Sequence, residues 1–283
     1  MRTLILPALL FAALPVWADD TPIGPEGAAA LPLFDAHMHY SQPAWGDYPP
    51  ATVIELMDNN GVAMALVSSS PDEGTIKLWE HAPGRFVPEV RPYRGQWGPG
   101  NWARDPDAFA YILERLDAYP HEGIGEFHIH RLNRQDEPLL RQIVKAAKER
   151  DLFIHIHSDK GPVDLLFWLE PASKIIWAHA GMSEPADVVE EMMAKYDTLY
   201  ADTSYREYDI LSREGGLNPD WERVLLRFPD RFMIGSDTWA NEQWRIYDRL
   251  ISENRRWLAL LPRDVAEKIA YKNAERLFKR KIK

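Results

Sequence analysis

Two hydrophobic rhythms alternate along the chain. Short apolar runs bounded by turn residues recur at 33–37, 62–68, 86–91, 123–127, 152–157, 174–178, 198–202 and 232–235, the signature of buried strands. Between them, apolar positions fall at helical spacing over 51–59, 107–118, 137–150, 163–169, 185–195, 220–227 and 241–261, with a last amphipathic stretch at 265–278. Strands separated by helices predict parallel βαβ units rather than hairpins. Eight such units predict an α/β fold, a (β/α)8 TIM barrel, which typically takes about 250 residues.

Local punctuation supports these boundaries. Asn60-Gly61 ends the first helix as a left-handed cap requires, Asp105-Pro106 opens another, and Pro138 and Pro185 stand where first-turn prolines are tolerated. Pro262-Arg263-Asp264 separates the final helix from the one before it. Residues 19–31 are rich in Pro, Gly and Ala without periodicity and predict a mobile spacer; the barrel domain then covers 32–283 with no second domain.

Composition adds location and excludes partners. Arg2, an apolar run from Leu4 to Leu14 and Val16-Trp17-Ala18 read as an export signal over 1–18, too short to span a bilayer comfortably. The expectation is a periplasmic protein with no stable membrane anchor after cleavage; an uncleaved anchor is the alternative. There is no cysteine, so neither disulfides nor a thiol nucleophile are available. With 33 basic against 43 acidic residues and no basic run, no nucleic-acid partner is expected. No Gly-x-Ser-x-Gly elbow and no phosphate-cradling glycine pattern occur.

The chemistry centres on His37 and His39. On a strand they leave the same side about 7 Å apart, close enough to converge on one cation. In such a barrel the site lies at the C-terminal strand ends, where Glu126, His157, His179 and Asp237 also fall, every one a metal-ligand type. His155 reads as an inward-facing barrel residue, His128 and His130 as rim residues or ligands, and His81 and His121 as surface or capping residues. Arg91 and Tyr93 after the third strand, Arg206 after the seventh and Trp239 after the eighth are candidate substrate contacts. Arginine forks suit carboxylates or phosphates, and aromatic rings wall flat ligands.

Five stretches in order, Phe34-Asp35-Ala36-His37-Met38-His39, Gly125-Glu126-Phe127, Ile156-His157-Ser158-Asp159, Trp177-Ala178-His179-Ala180-Gly181 and Ile234-Gly235-Ser236-Asp237, resemble the amidohydrolase superfamily, and within it the amidohydrolase-related branch of barrel hydrolases. The resemblance implies that His37, His39 and Asp237 bind one divalent ion. It implies that His157 and His179 hold a second, or supply one ligand and one catalytic group. Glu126 stands where the best-known two-metal members carry a carboxylated lysine, which leaves the count at one or two ions. The metal is expected to be zinc, with manganese, iron or nickel as alternatives.

The expected activity is metal-dependent hydrolysis of an amide, ester or lactone bond in a small substrate, with an anionic one suiting the arginines. Asp237 is expected to move the proton of the attacking water, and His179 to orient substrate or stabilise charge. A non-oxidative decarboxylase on the same site and a non-catalytic, metal-loaded periplasmic binding protein are the alternatives. A hydrolytic deaminase fits less well, as no Asp-Asp pair ends the eighth strand. Oligomeric state is left open.

Overall fold

The computed structural model describes residues 21–130 and 132–282, so the expected export signal lies outside the described residues. Eight strands, β1 (Leu33–Met38), β2 (Val62–Val67), β3 (Phe86–Val90), β4 (Gly123–His128), β5 (Phe153–His157), β6 (Lys174–Trp177), β7 (Leu199–Asp202) and β8 (Phe232–Met233), follow each other in sheet order. Each pairs in parallel with the next. The Ala36 N–H donates to the Ile234 carbonyl at 2.9 Å and the Asp237 N–H to the His37 carbonyl at 2.6 Å, bringing β8 back to β1. The (β/α)8 barrel expected from the alternating rhythms is therefore present.

The helices are α1 (Gly24–Ala29), α2 (Pro50–Asn59), α3 (Glu73–His81), α4 (Ala108–Ala118), α5 (Glu137–Glu149), α6 (Lys160–Leu169), α7 (Ala186–Lys195), α8 (Glu207–Ile210), α9 (Pro219–Arg227), α10 (Asn241–Arg245), α11 (Tyr247–Leu258), α12 (Arg263–Glu267) and α13 (Asn273–Leu277). Gly61, at φ +67°, ends α2 as expected, and Asp159 and Asn218 cap α6 and α9 by accepting from backbone N–H groups. Among the described residues no helix is long and apolar enough to cross a membrane.

Two expectations need correction. Part of the stretch read as a loose spacer at 19–31 is α1, with Ala28 and Leu31 buried and both their carbonyls bonded by Arg255. α3 was not expected from the pattern, because its buried face includes Gly74 and Thr75. A Cβ on Gly74 would meet the Tyr40 carbonyl oxygen at 2.0 Å, so the helix docks through its smallest residue together with Ile76 and Leu78.

The barrel interior explains where chemistry can reside. Alternate residues of a strand share a face, and along β3, β5 and β7 that face reads Val87–Glu89–Arg91, Phe153–His155–His157 and Tyr200–Asp202–Ser204. The first member of each joins a buried apolar layer with Phe34, Leu66, Ile176 and Met233, closed by Phe278, whose ring stacks on Phe34 at 5.3 Å. The later members are titratable or polar. Each strand thus switches from apolar to ionisable toward its C-terminal end, which keeps charges at the mouth and oil at the base.

Gly125 permits β4 to approach β5 and present Glu126. Its φ is +149°, and a Cβ there would lie 2.2 Å from the His155 carbonyl oxygen. Gly125→Ala is expected to cost about 2 kcal/mol or more by overpacking, read as a lower urea midpoint; an unchanged midpoint contradicts this packing.

Candidate metal centre

β1 and the turn after it deliver His37 and His39, both buried. His39 Nδ1 donates to the Ser68 carbonyl at 2.6 Å, so its Nε2 carries the lone pair. His37 Nδ1 lies 3.1 Å from Asp202 Oδ2, the carboxylate–imidazole pairing that fixes a metal-binding tautomer. The two Nε2 atoms face each other at 3.1 Å, and Asp237 Oδ1 lies 3.2 Å from that of His39 and 3.6 Å from that of His37. Three electron-rich atoms this close need a proton or a cation between them. A tetrahedral ion with bonds of about 2.0–2.1 Å places its ligand atoms about 3.4 Å apart, so the donor set fits a divalent ion.

The electrostatics agree. Burial acts to lower the His37 pKa, but Asp202, Asp237 and Glu126 outweigh it and hold it well above the usual imidazole value. Burial likewise acts to raise Asp237, yet His37 and its neighbours bring it down to about 2. Glu126 is also held well below the usual carboxylate range, against its burial, by His37 and by bonds from histidines. The pocket therefore attracts positive charge.

Glu126 sits between two groups of ligand-type atoms. Its Oε2 lies 3.3 Å from His39 Nε2 and 3.7 Å from His37 Nε2, and its Oε1 takes a bond from His157 Nδ1 at 2.8 Å. Arg91 Nη2 also donates to Oε2 at 2.7 Å, so a guanidinium already answers part of its charge. His157 stacks on His128 at 4.1 Å and groups with Glu126 and His128, apart from the His37, His39 and Asp237 set. His179 Nδ1 bonds the Ser204 carbonyl at 3.1 Å, and its Nε2 lies 3.8 Å from Asp237 Oδ2 and 3.9 Å from Glu126 Oε1. Burial and then the neighbouring His37 lower its pKa to about 4, so the ring is neutral near pH 7.

Sequence reasoning missed Asp202. Fully buried at the end of β7, its Oδ2 serves His37 Nδ1, His155 Nε2 at 3.3 Å and the His179 N–H at 3.2 Å. The signal was the polar Tyr200–Asp202–Ser204 alternation closing a strand. His155, tied also to Glu89 at 2.8 Å, is the inward barrel residue expected of it; burial lowers its pKa, but Glu89 and Asp202 raise it to about 9. His121, read as a surface or capping residue, is instead buried and bonded to Asp72 at 3.1 Å.

A cavity of about 610 Å³ opens over these groups, lined by His39, Arg91, Tyr93, Glu126, His128, His157, Met182, Tyr205, Asp237 and Trp239 among others. Arg91, Tyr93 and Trp239, read from the sequence as candidate substrate contacts, border this space. Arg206 does not: it is buried, donates to the Glu184 carbonyl at 2.6 Å, pairs with Asp209 and lies over the Trp221 ring. The reason is the preceding residue. Tyr205 takes a left-handed turn at φ +59°, which puts its own ring, and not the Arg206 fork, at the cavity.

A sequence profile of the family described as Amidohydrolase matches residues 34–280. None of the curated proteins matches the chain. Among solved structures, an Agrobacterium tumefaciens protein aligns at 16% identity and TM-score 0.57, covering 91% of this chain and 99% of its own. A Listeria monocytogenes lactonase aligns at 12% identity and TM-score 0.57, covering 90% and 96%. An organophosphorus hydrolase from Deinococcus radiodurans aligns at 13% identity and TM-score 0.54, covering 94% and 99%. Likeness at these identities carries the barrel fold alone.

Asp202→Asn removes the charge that orients His37 and is expected to weaken divalent-ion affinity about 10–100-fold, measured by competition with a chromophoric chelator. Unchanged affinity contradicts a supporting role for Asp202.

Proposed function

We infer the chemistry of this chain from its family: it belongs to the amidohydrolases, and it is a metal-dependent hydrolase. The ion count, the proton path and the substrate class are our own reading. The observation that carries it is the approach of His37 Nε2, His39 Nε2 and Asp237 Oδ1 to within 3.1–3.6 Å of one another beneath a solvent-facing cavity.

We propose one divalent ion, zinc by preference for its nitrogen-rich ligands, held by His37, His39 and Asp237. Charge supports one rather than two: Glu126, Asp202 and Asp237 surround His37, and Arg91 offsets one of the three carboxylates. The remaining two negative charges match one divalent cation. When bound, the ion brings the pKa of water toward neutrality and polarises an acyl group. Asp237 Oδ2 and His179 Nε2, 3.8 Å apart, face each other beneath the cavity. The neutral His179 ring accepts a hydrogen bond from the attacking water, and Asp237 takes its proton and returns it to the leaving atom. His157 and Arg91 hold Glu126 in place.

The substrate is a small ester or lactone, and an uncharged one. Glu126 already neutralises Arg91, taking bonds from its Nε and Nη2, and Arg206 faces away, so neither expected arginine brings an unanswered charge to the cavity. Tyr93, Met182 and Trp239 offer apolar surface instead. Ester-type chemistry is carried over here, as part of the proposal, from two structural neighbours named a lactonase and an organophosphorus hydrolase. We place the mature enzyme in the periplasm on the export pattern at 1–18.

Chelation is expected to abolish hydrolysis of a lactone and aryl-ester panel, and zinc or manganese to restore it. Asp237→Asn is expected to lower kcat at least about 100-fold. Full activity in the chelated protein, or in the variant, contradicts the mechanism, and carbon dioxide release without water uptake points to decarboxylation.

A further inference from the structure

We propose that the phenolic hydroxyl of Tyr205 donates a hydrogen bond to the acyl oxygen of the substrate, making it a catalytic residue outside the five strand motifs. This role rests on the hydrolase reading. The backbone is the first sign of it: a bulky residue at φ +59° occupies the left-handed region that few non-glycine residues adopt. Such a conformation costs about 1–3 kcal/mol and persists where its surroundings over-determine it.

The surroundings here are those of the metal centre. Asp202 accepts from the Ser204 N–H at 3.0 Å, and the Ser204 hydroxyl lies 2.8 Å from His179 Nδ1. The chain is thus pinned to the metal-site histidines through residue 204. The left-handed turn then carries the Tyr205 ring to the cavity wall beside Asp237, Met182 and Trp239, with its centroid 6.1 Å from that of His179.

Its hydroxyl oxygen is buried, and its proton has no acceptor. Trp239 and Gln243 face that oxygen as hydrogen-bond donors, which leaves the proton to be given elsewhere. A buried, unsatisfied hydroxyl costs about 1–3 kcal/mol, so a strained residue holding one at a cavity wall calls for a ligand. A neutral phenol donates one proton and suits an acyl oxygen that gains negative charge as water attacks. No proton leaves the tyrosine; the hydrogen bond shortens as charge develops and relaxes when the carbonyl re-forms.

The test is Tyr205→Phe, which keeps the ring and removes the donor, with Tyr208→Phe, 83% exposed and outside the cavity lining, as control. On the zinc-loaded protein, Tyr205→Phe is expected to lower kcat about 10–100-fold on every lactone and ester turned over, in the range of a single lost oxyanion donor. KM is expected to rise about fivefold, in step with the lost ground-state hydrogen bond, with metal content and melting temperature unchanged and the control at wild-type rates. A second readout needs no turnover: calorimetric binding of δ-valerolactam, which presents the same acyl oxygen, is expected to weaken at least about fivefold in Tyr205→Phe. Equal lactam affinity in variant and wild type, or no binding to either, overturns the proposal, as does a kcat unchanged in Tyr205→Phe or lowered equally in the control. A wild type that binds lactam in a Tyr205-dependent way but hydrolyses nothing upholds the hydrogen bond and refutes the reaction.

Discussion

The carboxylate of Asp202 is the contact on which the site depends. Buried at the end of β7, it accepts from the His179 backbone and meets the rings of His37 and His155. It thereby joins groups from β1, β5 and the turn after β6. Leaving a charge unpaired in such an interior costs about 3–5 kcal/mol, so these partners are held together by the penalty of separating them. Gly235 lets them close: a Cβ there would stand 2.9 Å from His37 Cβ and 3.1 Å from Asp202 Oδ1.

From that node the geometry propagates outward. Asp202 turns His37 so that its Nε2 meets His39 and Asp237, while Ser68 performs the same service for His39 through its carbonyl. Arg91 and His157 hold Glu126 at the border of the set. His179, Tyr205 and Asp237 all adopt positive φ, so local backbone strain gathers at the mouth and the regular strands below carry the apolar layer. A rigid base supporting a strained rim is the division of labour a barrel enzyme allows, since loop geometry can vary without disturbing the sheet.

The barrel was legible because its two rhythms differ in period and repeat in order, and the metal-site candidates because ligand-type residues ended strand after strand. What escaped the sequence was direction. Arg206 and Tyr205 are neighbours in one loop, and only the left-handed turn at Tyr205 decides which of them meets the cavity. Asp202 looked like any carboxylate leaving a strand, since its partners lie far along the chain. α3 was hidden because Gly74 and Thr75 take up half of its buried face, leaving only Ile76 and Leu78 as an apolar signal. His121 was misread for want of a visible partner, which the fold supplies in Asp72.

The chemistry turns on where a cation sits. Anomalous diffraction at the zinc edge from crystals of the reconstituted protein measures this directly. A single peak is expected about 2.0–2.2 Å from His37 Nε2, His39 Nε2 and an Asp237 oxygen. A peak among Glu126, His128 and His157 alone, or none inside the barrel mouth, contradicts that centre.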